Sequence, residues 1–140
     1  MESRQTFLTC CKVLWLACSI QVHLEDFDDL VINPALFRAR TGHARTNDHM
    51  FRTDIVSSPR CRHCHAEPET LLHVTMKCES FLADNANEQA MRDIRQLVLP
   101  MITPCDPNEP EIDLFNTFLW NQPKIAAKLL QTFIHSGGTI

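Results

Sequence analysis

The chain has 140 residues, room for one domain, with 44% apolar and 21% charged residues, no Tyr and three Gly. This is the composition of an ordinary globular protein with a modest core. The net charge of −4 excludes a protein that coats nucleic acid over its whole face.

In chain order, residues 6 to 24 have apolar side chains near helical spacing and predict a buried helix. The run is shorter than the roughly 20 apolar residues needed to span a membrane, and Lys12 interrupts it. A secretory leader is the alternative, with Arg4 ahead of the apolar run and Ala17-Cys18-Ser19 as a cleavage site; Glu2 and Lys12 count against it. "EDFDD" follows as an acidic helix start, and residues 1–29 form an unassigned N-terminal unit. Pro34 is expected to break any helix before it and to open the next, which should stop at Gly42. "RTNDHMFRTDIV" predicts a short helix with Thr46 or Asn47 as its N-cap. Pro68 suits the first position of another short helix, with Glu69 in its first turn. Leu71, Leu72, Val74 and Met76 do not share one face, so this helix is expected to pack on two sides. Residues 80–99 predict a longer amphipathic helix with Phe81, Ala90, Met91, Ile94, Leu97 and Val98 inward. Pro100, Pro104, Pro107 and Pro110 mark residues 100–110 as a linker. Residues 111–140 predict a helical hairpin, with Pro123 near a helix start and Gly137 as the stop. There is no internal repeat. The expected class is mainly α: short helices around a Cys/His element in residues 30–99, then a long helix and a C-terminal helical hairpin.

Charge is unevenly placed. Residues 38 to 65 hold six Arg against two Asp, whereas residues 66 to 115 hold three basic residues against ten acidic ones. The basic segment suggests a local polyanion contact; solvated helix surfaces that pair with each other would read the same way.

Seven cysteines are an odd, unevenly spread set: Cys10, Cys11 and Cys18 crowd the N-terminus, and Cys105 sits in the Pro-rich stretch. A disulfide framework shows an even, dispersed set, so a reducing compartment is the expectation. The remaining three lie in "CRHCHAEPETLLHVTMKC", where Cys61, Cys64, His73 and Cys78 follow the pattern C-x2-C-x8-H-x4-C. A C-x2-C turn directs two sulfurs at one ion, and His73 and Cys78 reach it from the far end of the next helix. Three thiolates and one imidazole satisfy tetrahedral Zn2+ with no open position, as in structural sites. His63 and His65 are alternative donors. Cys64 beside His63 and His65 also permits a nucleophilic thiolate, but no orienting third group or oxyanion site is visible in the sequence.

Together, "LFRARTGHARTNDHMFR" and "CRHCHAEPETLLHVTMKCESF" resemble the C-terminal region of non-LTR (LINE-type, jockey-like) retrotransposon reverse-transcriptase polyproteins. The matching positions are Arg38, Arg40, Thr41, Gly42, His43, His49, Arg52, Cys61, Cys64, Glu69, Thr70, His73, Cys78 and Phe81, and the closing "LLQTFIHSGG" is similar as well. The resemblance covers residues 30 to 137. It differs from the retroviral nucleocapsid knuckle, whose Cys-to-His gap is four residues. The polymerising palm domain does not fit in this length. Asp28 and Asp29 after Phe27 echo its metal-binding pair, but Asp26 stands where that motif places its aromatic.

The resemblance implies a non-catalytic, zinc-stabilised segment that binds RNA or DNA, with no small-molecule substrate and no membrane span. The basic strip of Arg38, Arg40, His43, Arg45, Arg52, Arg60 and Arg62 would contact phosphates, in the nucleus or cytoplasm. One alternative is a zinc-stapled interaction module or transposon remnant without nucleic-acid affinity, favoured by the acidic half and a pI near 5.9; another is a small secreted protein, if residues 1–19 are a leader, whose cysteines pair as disulfides.

Overall fold

A computed structural model describes residues 29–83 and 85–140. The expectations for residues 1–28, a buried helix or a cleavable leader, lie outside the described residues. The described chain is mainly helical: α1 (Asp29–Thr41), α2 (Asn47–Arg52), a π-helical turn (His73–Lys77), α3 (Glu79–Ala83), α4 (Glu88–Ile102), α5 (Glu111–Asn121) and α6 (Pro123–His135). Among the described residues extended pairing is limited to one antiparallel bridge between Arg60 and Pro68.

α4, α5 and α6 pack on one another, α1 lies against α5 and α6, and the π-helical turn sits against α4 and α6. α6 supplies the apolar stripe Ile125, Ala126, Leu129, Leu130 and Phe133, all buried. It meets Met91, Ile94, Val98 and Ile102 of α4 and Phe115, Phe118 and Leu119 of α5 in one core cluster. Each such large side chain, fully withdrawn from water, contributes about 1.5–3 kcal/mol before entropy is subtracted. The cluster runs from Ala35 to Ile140, so the segments on both sides of the Pro-rich stretch share one core.

Several boundaries differ from the expectations. Pro34 lies inside α1; its missing amide is the partner that the Leu30 carbonyl would have had, one lost bond in an otherwise continuous helix. The helix expected over residues 80–99 is two helices. Asn85 and Asn87 turn the chain, Asn87 N–H donating to Asn85 Oδ1 at 3.0 Å. Their side-chain amides then donate to the last carbonyls of α6, Asn87 to His135 at 3.0 Å and Asn85 to Ser136. Of the residues expected to face inward, Ala90 is exposed, while Leu82 and Arg95 are buried. The expected linker begins later than residue 100, because α4 continues through Pro100 to Ile102 and buries Met101 and Ile102. Pro68 opens no helix; it pairs with Arg60, and the turn starts beyond it with Thr70 Oγ1 accepting from His73 N–H at 3.1 Å.

Glycine ends two helices as expected. Gly42 (φ 74°) follows α1 and Gly137 (φ 91°) follows α6, and His43 N–H and Gly138 N–H close back on the Arg38 and Phe133 carbonyls at 2.9 Å each. At Gly138 a side chain is also excluded by space, since an added Cβ would overlap the Phe133 ring. Phe133 is 2% exposed and packs on Phe81 with ring centroids 5.0 Å apart. Gly138→Ala is therefore expected to destabilise the protein by about 1–3 kcal/mol, the cost of overpacking a filled core, measured by urea denaturation; an unchanged midpoint would contradict this packing.

Candidate metal centre

The C-x2-C turn is built by its own backbone. Cys61 N–H donates to the Glu67 carbonyl at 2.7 Å, Glu69 N–H to Pro59 at 2.8 Å, and His65 N–H to the Cys61 carbonyl at 2.9 Å. His65 takes the left-handed conformation (φ 57°) that lets the chain double back. The amides of Cys64 and His63 point at the Cys61 sulfur, and those of Ala66 and Glu67 at the Cys64 sulfur. This is a knuckle of N–H groups around two sulfurs. His73 and Cys78 stand at the two ends of the π-helical turn, closed by Cys78 N–H to the His73 carbonyl at 2.8 Å.

The donor atoms of Cys61, Cys64, His73 and Cys78 all lie within 4.8 Å of one another, close enough to hold a metal ion. Cys61 Sγ and Cys78 Sγ are 3.8 Å apart, matching the edge of about 3.8 Å that a tetrahedron with Zn–S bonds near 2.3 Å requires. Cys64 Sγ lies 3.3 Å from His73 Nε2. Cys61, Cys78 and His73 are buried and Cys64 is half-buried. The alternative donors fall away: His63 packs edge-on against Phe81 at 5.1 Å, and His65 is exposed.

The electrostatics fit a cation. Burial pushes the Cys61 thiol up to about 12, so its thiolate needs a positive partner. The Ala66 and Glu67 amides pull Cys64 down to about 6, which readies one thiolate. Glu67 Oε2 lies 3.2 Å from His73 Nδ1. That pair lacks hydrogen-bond alignment, leaving a buried ring nitrogen without a bond. An imidazole that ligates through Nε2 and turns Nδ1–H toward a carboxylate is the usual outer shell of a metal-bound histidine. Cys64, His73 and Glu67 also stand in the order of a nucleophile, base and orienting carboxylate. Two further thiols converge on the same point, however, and none of the three borders the open cleft described below.

Two charged side chains that the sequence did not single out for this role hold the centre in place. Arg95, 7% exposed, projects from α4 and donates to the carbonyls of Thr75 (2.7 Å), Val74 (3.1 Å) and Cys78 (3.1 Å). It therefore binds the ligand-bearing turn to the bundle. Glu69, 2% exposed, accepts from Asn47 N–H at 3.0 Å, Arg62 N–H at 2.8 Å and the Arg62 guanidinium at 2.7 Å. It joins the start of α2 to the knuckle. Burial raises the Glu69 carboxyl, and the Arg62 hydrogen bonds more than reverse this, leaving its pKa below the ordinary value. Thr46 is the N-cap of α2, its hydroxyl accepting from His49 N–H at 3.3 Å.

The basic strip does not form one free surface. Arg38 donates to the Ile140 carbonyl at 3.2 Å, and Arg40 Nε to the Leu119 carbonyl at 2.7 Å. Arg62 is committed to Glu69 and also reaches the Arg45 carbonyl at 3.2 Å. His43 bonds Thr41 Oγ1 at 3.0 Å and meets the His49 ring edge-on. Arg52 pairs with Asp48 at 2.9 Å but stays 66% exposed. Arg60 makes a long 3.5 Å contact to the His65 carbonyl. Arg45 is exposed, with no bond from its guanidinium to any described residue. An open cleft of about 360 Å³ lies between the end of α1, α2 and α5, lined in part by His49, Arg52, Leu72, Phe115 and Asn116.

Of the described cysteines, Cys61, Cys64 and Cys78 are free thiols and Cys105 is disulfide-bonded. The reducing-compartment expectation does not account for that bond. No described helix is long and apolar enough to cross a membrane.

Two outcomes are expected. Chelation, or Cys61→Ser, should abolish amide-exchange protection across residues 55–80 while α4, α5 and α6 keep theirs; uniform protection after metal removal would contradict the site. Glu69→Gln should cost about 1–3 kcal/mol at neutral pH, because the buried carboxylate accepts from two backbone amides and from the partly exposed Arg62 guanidinium. Because the folded carboxyl titrates below the unfolded value of about 4.3, its contribution is present above that pH and fades as pH falls through the folded pKa. The variant should show less of this acid sensitivity in denaturation midpoints between pH 3 and 7.

No family model, curated protein or solved structure matches the chain. What is assigned here rests on the four convergent donors.

Proposed function

We propose that the chain is a zinc-stabilised, non-catalytic nucleic-acid-binding segment of retrotransposon reverse-transcriptase origin, acting inside the cell on RNA or DNA. The observation that carries the zinc reading is the donor set: three thiols and an imidazole within 4.8 Å, with the 3.8 Å sulfur–sulfur edge. Soft thiolate ligands in a closed tetrahedral set favour Zn2+ over Mg2+ or Ca2+. The closed set also leaves no coordination position for a reacting water, in keeping with a structural role.

The nucleic-acid part rests on the exposed cations around the knuckle. Arg45, Arg52 and Arg60 are exposed, and their guanidiniums make at most a surface ion pair or one long contact; His43 lies near them in sequence. Arg38, Arg40 and Arg62 contribute chiefly by shaping the surface. Contacts of this kind fix position and affinity rather than sequence preference.

The second reading is a zinc-stapled interaction module without nucleic-acid affinity. The internal commitment of Arg38, Arg40 and Arg62 favours it, as does the pI near 5.9.

Metal analysis of the purified chain should give one zinc per polypeptide, lost in Cys61→Ser and His73→Ala. Gel-shift titration separates the two readings. Three phosphate contacts predict that log affinity for duplex DNA falls with log salt at a slope of about −2.7. The Arg45→Ala, Arg52→Ala, Arg60→Ala triple variant should bind far more weakly with a flattened slope. Salt-independent binding, or unchanged binding by the variant, would reject the nucleic-acid reading.

A further inference from the structure

The last turn of α5 presents an aromatic surface that the core does not use. Trp120 is 58% exposed, although indole is the largest apolar side chain available for burial. The Arg40 guanidinium lies over its ring, 4.8 Å from the centroid. Arg40 is itself held, its Nε donating to the carbonyl of Leu119, the residue beside Trp120, at 2.7 Å. One face of the indole is thus backed by a planar cation held from α1, and the residue is more than half exposed to water. Phe37, one turn before Arg40 on α1, is 67% exposed.

We infer that the Arg40-backed Trp120 ring is a stacking platform for an unpaired nucleobase. The inference deepens the nucleic-acid reading above and rests on it. Base–aromatic stacking is indifferent to sequence, because every base has a π-face, and a neighbouring arginine adds a cation–π contribution. Holding Arg40 through Leu119 means that the platform is ordered before the base arrives, which lowers the entropy lost on binding. The surrounding charge suits a polyanion. Lys124 is exposed in the first turn of α6, four residues after Trp120, and Arg38, on the same helix end as Arg40, is exposed although one of its guanidinium nitrogens bonds the Ile140 carbonyl. The carboxylates of α5 are kept away: Glu111 is paired with Lys77, and Asp113 lies two turns from Trp120, about 10 Å along the axis. An apolar protein surface would gain little from a ring backed by a cation, so a base is the occupant to which the chemistry points.

The platform also divides labour with the knuckle. Arg45, Arg52 and Arg60 meet phosphates of either single or double strands, whereas Trp120 rewards only bases that are not paired.

The test uses the full chain with zinc supplied, titrated with a short oligo(dT) single strand and with a blunt DNA duplex. Trp120→Ala removes a mostly exposed ring and its Arg40 contact, so it should leave the fold intact and lower the thermal midpoint by only a few degrees. It is expected to weaken oligo(dT) binding roughly 5- to 150-fold, the equivalent of about 1–3 kcal/mol, and to leave duplex binding unaltered. Trp120→Phe should retain most of the affinity. In a Trp15→Phe background Trp120 is the sole indole, and oligo(dT) should quench its emission. Equal losses for single strand and duplex would overturn the inference, as would no loss at all. A self-associated chain that Trp120→Ala disperses in sedimentation would do the same, since the ring would then serve a second copy. Failure of the unaltered chain to bind either nucleic acid defeats the functional reading itself, and the platform with it.

Discussion

A single buried guanidinium ties the chemistry of this protein to its architecture. Arg95 reaches from α4 to three carbonyls of the turn that carries His73 and Cys78. A π-helical turn inserts an extra residue relative to an α-helix and disturbs the carbonyl ladder. Carbonyls freed in a dry environment cost free energy unless a donor meets them. Arg95 is that donor, and a planar group with five N–H bonds satisfies several acceptors at once. Burial lowers its pKa, but guanidinium starts so high that it stays charged. The cation sits close to the Cys78 sulfur, so it offsets some of the negative charge that three thiolates would bring to one point. Substituting an apolar residue there would fill the space and leave the turn's carbonyls unmet.

The same logic explains why the arginine-rich segment is not simply a polyanion surface. Arg62 and Glu69 form a nearly closed ion pair that organises the junction of α2 and the knuckle. Arg38 and Arg40 stitch the end of α1 to the C-terminal residues and to α5. Counting cations in sequence therefore overstates the charge presented to a partner. The less committed set is smaller, Arg45, Arg52 and Arg60, all exposed; Arg52 lies on α2, which buries none of its residues.

Much of this was legible before the structure. The C-x2-C spacing identifies a two-sulfur turn because backbone geometry over four residues leaves few alternatives, and Cys61, Cys64, His73 and Cys78 do converge. Gly42, Thr46 and Gly137 were readable because caps depend on local conformation. The inward stripe of α4 was readable from its period at Met91, Ile94 and Val98, with an error at Ala90, which is exposed. The role of Arg95 was not. It follows Ile94 in what looks like an ordinary polar position, and its partners are backbone carbonyls that carry no sequence signal. Proline was overread in both directions. Pro34 and Pro100 are tolerated inside helices because tertiary packing outweighs one missing bond, and Pro68 was taken for a helix start because its pairing partner, Arg60, lies across the knuckle. The approach of Glu67 to His73 was hidden because it depends on the knuckle turning back on itself at His65.

The distribution of packing decides where a bound ion would matter. The bundle of α1, α4, α5 and α6 shares a continuous core of large apolar side chains, so its order does not depend on the cysteines. The lobe from Ala44 to Thr70 has little of that core. It hangs on the Thr46 cap, the Glu69–Arg62 pair, and the ring contact from His63 through Phe81 to Phe133. Such polar contacts contribute about 0.5–3 kcal/mol each, whereas a structural zinc ion supplies roughly 10–16 kcal/mol apparent, more than any one of them. An ion held by these four donors would therefore not stabilise the protein evenly: it would order the lobe that carries Arg45, Arg52 and Arg60, beside a helical bundle with a core of its own.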